Sequence, residues 1–261
     1  MNCLLFQVDA FTEKAFAGNS ACVVILDGWI DDSILLSIAR ENAVAETAFL
    51  VPHDDRFQLR WFTPDIEIDL CGHATLAAGH IVLSHLAPET EIATFETMSG
   101  ELQVERHGSM YCMDLPSRPP TEAKLPLSIA ESLSHPPLEV LKGRDYILVY
   151  REESEVANLQ INREQFDRIN LDPGGVAVTA PGNDCDFVSR FFTPQATILE
   201  DPVTGSAHCS LAPFWGNRLG KTELDAQQIS ARGGELHCKV QEDRVLLFGN
   251  AITFAEGRIH F

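Results

Sequence analysis

Glu46 is a carboxylate of this sequence whose surroundings could suit it to moving a proton. It sits in Ala43-Val44-Ala45-Glu46-Thr47-Ala48-Phe49, a carboxylate among almost entirely apolar or small neighbours. Burial in such a segment raises a carboxyl pKa above its ordinary value of about 4.3, towards the range where one group can both take and return a proton. An edge-strand glutamate facing water is the alternative for the same pattern.

Two further segments carry groups that could hold an anion. Gly72-His73-Ala74-Thr75 and Thr204-Gly205-Ser206-Ala207 each read as the start of a helix. A small residue there lets a ligand approach the backbone, and the unpaired N–H groups and positive dipole end favour a carboxylate. Two such termini facing one cleft could grip a carboxylate and stabilise an enolate-like intermediate. Each residue also has a plainer reading. His73 could be a satisfied core histidine, Ser206 a simple N-cap and the glycines ordinary turn residues. Asp201, in Glu200-Asp201-Pro202, could orient His73 or a substrate amine, or could be a turn residue set by the proline after it.

The elements that must position these groups recur. Arg60-Trp61-Phe62-Thr63-Pro64 returns as Arg190-Phe191-Phe192-Thr193-Pro194, an offset of 190 − 60 = 130 residues in a chain of 261. The match extends upstream to Phe57 and Phe187. Downstream, each copy passes through a short extended stretch into one of the two helix starts. A period of half the chain predicts two domains of one design, not a solenoid of short repeats. Strand-forming runs include LLFQVDAF, ACVVIL, TAFLV, FQLRWF, ELQVER and MYCMDL, with YILVY, VAVTA, DFVSRFF, LHCKV, RVLLFG and AITFAEGRIHF in the second half. Asp31 and Asp32 can cap a helix running to about Ala43, with Ile34, Leu35 and Ile38 on its apolar stripe. The segment from about Gly72 to Leu86 is apolar on nearly every side, as a helix enclosed by sheet would be. Pro116-Ser117-Arg118-Pro119-Pro120-Thr121 is the best connector. The predicted fold is α+β, with two pseudo-symmetric strand-rich domains, 1–116 and 117–261, each wrapped around a helix; the last strand packs back on the first domain.

Composition narrows the function. The net charge of −19 argues against nucleic acid or an anionic membrane as the main partner. It also means that an anionic substrate needs local compensation, which helix N-termini supply. The amino terminus lacks a basic region before an apolar run, and the longest nearly apolar stretch, Ala74 to Leu86, is too short to span a bilayer. Seven scattered cysteines without CxxC spacing read as reduced thiols of a cytoplasmic protein, with no zinc site or disulfide framework. No dinucleotide loop, GxxxxGK[ST], HExxH or GxSxG occurs, and no lysine falls in either repeated site.

At these residues the chain resembles the phenazine-biosynthesis PhzF-like family, on the diaminopimelate-epimerase-like fold. The resemblance spans essentially the whole chain and rests on VDAFTEKAFAGN, AETAFLV, RWFTPDIEIDLCGHATLAAGH and RFFTPQATILEDPVTGSAHCSLAPFW. It implies a homodimer without cofactor or metal, with a small carboxylate-bearing substrate bound between two domains and isomerised through proton transfer by one glutamate. That glutamate falls on Glu46. The supporting positions fall on Gly72, His73, Asp201, Gly205 and Ser206, and a substrate contact falls on Asn19. Ser20 departs from the family's usual proline and puts Asn19's role in question. Related racemases and epimerases use two thiols, one per half. Here Cys71 occupies the first position and Pro202 the second, so the two-thiol mechanism is not expected. A thiol-based racemase and a non-catalytic binding module stand as the alternatives.

Overall fold

In the computed structural model residues 2–171 and 174–261 are described, and the chain divides into two compact units, Met1–Asp114 with Phe248–Phe261 and Leu115–Leu247. The first unit holds β1 (Asn2–Ala10), β2 (Asn19–Ile25), α1 (Asp32–Asn42), β3 (Glu46–His53), β4 (Arg56–Phe62), β5 (Glu67–Ile68), α2 (Gly72–Ile81), β6 (Ile92–Thr97), β7 (Gly100–His107) and β8 (Met110–Pro116). The second holds β9 (Thr121–Glu122), α3 (Leu127–Ser132), β10 (Glu139–Lys142), β11 (Tyr146–Val149), α4 (Glu153–Asn158), α5 (Arg163–Phe166), β12 (Val176–Pro181), β13 (Phe187–Phe192), β14 (Glu200–Asp201), α6 (Gly205–Leu219), β15 (Glu223–Gln228), β16 (Gly234–Gln241) and β17 (Arg244–Gly249). The last strand, β18 (Ala251–His260), returns to the first unit and pairs antiparallel with β1.

The predicted α+β class holds, and the repeat is visible in the strand pairing. In the first unit β1 and β2 are antiparallel and β2 and β3 parallel; β4 runs antiparallel to β3, pairs with the short β5, and lies parallel to β6. The second unit repeats every step with β10, β11, β12, β13, β14 and β15. The arginines of the repeated pentamer take the same place. Arg60 forks onto Glu67 at 2.6 and 2.7 Å and lies over Phe62; Arg190 forks onto Glu200 at 2.7 and 2.9 Å and lies over Phe192. Bidentate arginine–carboxylate pairing of this kind fixes geometry as well as energy.

Each central helix is buried by its composition. Small residues dominate α2, and all of its residues except His80 are buried. A side chain at Gly79 would meet Val104 of β7 at 2.4 Å, so glycine is what permits that close helix–strand contact. After Ile81 the helix widens into a π-turn, Val82–Leu86, so the predicted helix to Leu86 is α only in its first ten residues. In α1 the buried stripe is Leu35, Ile38 and Ala39; Ile34, predicted to share it, is 38% exposed, because the i, i+3, i+4 set that meets the sheet starts one residue later. Asp31 caps this helix, accepting from Ser33 N–H. No helix among the described residues is long and apolar enough to cross a membrane, and all seven cysteines are free.

Candidate active site at the start of α2

Three chain segments deliver the site in the first unit. Asn19 opens β2, Glu46 opens β3, and the parallel pairing of Ala21 with Glu46 brings those two strand starts to the same end of the sheet. Gly18 sets the entry to β2. Its φ is +66°, and a Cβ there would lie 2.2 Å from the carbonyl oxygen of Ala10, so glycine is required both for conformation and for space. Ala43 ends α1 in the left-handed region at φ 52° and turns the chain into β3. Cys71 is the N-cap residue of α2, and its side chain makes no capping hydrogen bond.

The side chains meet around His73. Its Nε2 lies 3.0 Å from Glu46 Oε2, its Nδ1 3.1 Å from Asn19 Nδ2 and 3.5 Å from Cys71 Sγ. Asn19 is fully buried, His73 is 3% exposed, and the Glu46 side chain is 17% exposed. The alternative of a water-facing glutamate is therefore set aside: β3 has a neighbouring strand on each side, and the carboxylate turns onto the helix start. The Glu46–His73 contact is electrostatic, lying off the imidazole N–H direction. Both facing atoms are shielded from water, yet neither makes a hydrogen bond among the described residues.

Burial alone disfavours the imidazolium form of His73. The Cys71 sulfur and the Glu46 carboxylate outweigh it, and His73 is held well above its ordinary value. The Cys71 thiol is itself pushed up, by burial and then by Glu46, against the lowering influence of His73. A thiol raised in this way is neutral near pH 7.

In the second unit Asp201 Oδ2 accepts a 2.6 Å hydrogen bond from Thr204 Oγ1. Gln228 completes the arrangement, accepting from Thr204 N–H through Oε1 and donating to the Asp201 carbonyl through Nε2. Gly205 and Ser206 open α6 behind Thr204, its N-cap residue, so Ser206 is not the cap. The counterpart of Cys71 is therefore Thr204, not Pro202, which lies two residues earlier. Gln228 escaped sequence reasoning because it lies 24 residues downstream on β15 with no motif around it. Among the described residues, Glu46, Cys71 and His73 could hold a metal, their donor atoms all lying within 4.8 Å of one another.

A strand-rich repeat wrapped on two helices, with a shielded carboxylate–imidazole pair at one helix start, is the architecture of the epimerase-like fold. The family model described as phenazine biosynthesis-like protein matches residues 8–257. An uncharacterised isomerase of Pseudomonas aeruginosa is 46% identical over the full length of both chains. The crystal structure of a PhzF-family phenazine biosynthesis protein from Enterococcus faecalis superposes with a TM-score of 0.94 at 41% identity, covering all of both chains. A predicted epimerase from the same Pseudomonas species, 22% identical with a TM-score of 0.74 over 99% of this chain and 99% of its own, shares the fold. The chain belongs to the phenazine biosynthesis-like, or PhzF, family, and it is an isomerase.

Proposed function

We propose that the protein is a cofactor-independent isomerase that shifts a proton on a small carboxylate-bearing substrate, with Glu46 as the proton carrier. The observation that carries this reading is the 3.0 Å approach of Glu46 Oε2 to His73 Nε2 at the start of α2, with neither atom hydrogen-bonded among the described residues. A carboxylate held in that way keeps a lone pair for a carbon-bound proton, while the charge of His73 compensates the anion that develops in the substrate. Gly72 supplies backbone approach for the substrate carboxylate. Asn19 orients His73 as well as facing the substrate, and Asp201, Gly205 and Ser206 bind substrate at the second helix start. The protein acts in the cytoplasm as a homodimer.

Incubation with ring or amino-acid carboxylates in deuterated water tests the proposal. Label enters the substrate carbon with wild type and falls by at least a hundredfold with Glu46→Gln; undiminished incorporation by that variant would sink the role of Glu46. A second reading, a thiol-based racemase, draws on the 3.5 Å distance from Cys71 Sγ to His73 Nδ1. Threonine at the counterpart position weighs against it, and Cys71→Ser separates the two: turnover is abolished in the thiol reading and largely retained in ours.

A further inference from the structure

Glu46, Cys71 and His73 place one carboxylate oxygen, one sulfur and one imidazole nitrogen within 4.8 Å of one another. A mixed O, N, S donor set does not suit magnesium or calcium, which take oxygen ligands, but it suits zinc. Zinc with bonds of about 2.0–2.3 Å in tetrahedral geometry needs donors about 3.3–3.6 Å apart. The observed separations are 3.0 Å from His73 Nε2 to Glu46, just below that range, and 3.5 Å from His73 Nδ1 to Cys71, within it. The ring presents Nε2 to the carboxylate and Nδ1 to the sulfur, and one of its nitrogens lies within 4.8 Å of both other donors. The second observation is independent of spacing. His73 is 97% buried by its 3% exposure, and its Nε2, like Glu46 Oε2, lacks a hydrogen bond among the described residues. Buried polar atoms in that condition favour any ligand that can satisfy them.

We propose that Glu46, Cys71 and His73 form a reversible zinc site that leaves a fourth coordination position open. Binding is an exchange without redox change. The ion takes lone pairs from carboxylate, thiolate and imidazole, and the protons held on the sulfur and the ligating nitrogen pass to water. Zinc here is not a cofactor of the isomerisation. Resting on the proposed role of Glu46, the ion occupies the lone pair that would accept the substrate proton, so zinc competes with substrate and inhibits.

Cobalt(II) is the spectroscopic probe. After chelation and desalting, the full-length protein is titrated with Co2+. One equivalent is expected to produce visible bands of tetrahedral intensity and a near-ultraviolet thiolate-to-cobalt band, and one equivalent of Zn2+ should bleach both. Cys71→Ser, checked for wild-type folding by circular dichroism, should lose the thiolate band and bind at least tenfold more weakly. Cys185→Ser, in the second unit, should keep both. Absence of stoichiometric binding, or an unchanged band in Cys71→Ser, overturns the site. Turnover in deuterated water is read separately with and without Zn2+. Stoichiometric binding that leaves turnover unchanged upholds the zinc site and overturns the role of Glu46, so the two failures are distinct.

Discussion

Glu46 in the first unit and Gly175 in the second stand at the same position of the repeat. Thr47 of β3 pairs with Phe62, Val176 of β12 pairs with Phe192, and Glu46 and Gly175 each immediately precede those rungs. The second copy cannot hold a carboxylate there. A Cβ on Gly175 would meet the Phe191 ring at 2.5 Å and the Phe192 carbonyl oxygen at 2.7 Å.

That crowding predicts that Gly175→Ala costs about 1–3 kcal/mol of stability through overpacking. Urea unfolding followed by fluorescence should show a lowered midpoint with an unchanged slope. A midpoint equal to wild type would mean that Phe191 gives way freely.

Asn19 touches His73 Nδ1 at 3.1 Å, and both are buried. Asn19→Ala leaves a ring nitrogen without that partner, an effect of about 1–3 kcal/mol, and it should lower kcat/KM about 10- to 100-fold. Asn19→Asp, which puts an acceptor in place of the Nδ2 donor, should not recover the loss. Steady-state kinetics on the labelled-exchange substrate give the comparison.

Arg190 and Arg60 both fork onto a glutamate, but only Arg190 also reaches carbonyls at the end of α4, those of Val156 at 3.1 Å and Leu159 at 2.9 Å. Lysine cannot reproduce a fork that serves several acceptors. Arg190→Lys should therefore destabilise by about 2–3 kcal/mol and Arg60→Lys by about half as much, given typical charge-assisted hydrogen bonds. Thermal unfolding of the two variants side by side would reveal equal losses if the helix carbonyls contribute nothing.

Acid stability should depend on His208. Burial, opposed only by its contact with the Thr204 carbonyl, lowers this histidine from 6.5 to about 4. Above pH 6.5 it is neutral in both the folded and unfolded chain. Below that, the unfolded chain takes up the proton first, so stability falls as pH drops from about 6.5 to about 4, by about 3 kcal/mol in total. His208→Gln should flatten that part of the stability curve, whatever its stability at pH 7.

The sequence was legible where a pattern was local or repeated. The paired pentamers foretold two units with one strand order, and the apolar, small-residue run from Gly72 foretold an enclosed helix. Glu46 and His73 could each be singled out, but not their contact. That contact depends on the register of β2, β3 and α2, and 27 residues separate the pair in the chain. Asn19 was ambiguous because its partner is a side chain 54 residues away. Thr204 was missed as the counterpart of Cys71 because the boundary of α6, not residue type, decides which residue sits at the cap. The short helices α4 and α5 carried readable caps, the Glu152–Glu155 capping box and the Asn162 side chain accepting from Gln165 N–H, but they are too brief to show a hydrophobic period.

The return of β18 to β1 has a bearing on how the protein is made. A ribosome releases the first unit's sheet with β1 still lacking one neighbour, and that neighbour is synthesised only after the whole of the second unit. Until then β1 presents an open edge, the kind of surface that invites pairing with other nascent chains. The strand next to β1 is β2, which carries Asn19, so the candidate site is fully braced only late in translation. Vectorial synthesis thus ties the maturation of the acid–base pair to the successful production of a unit that contributes neither member of it.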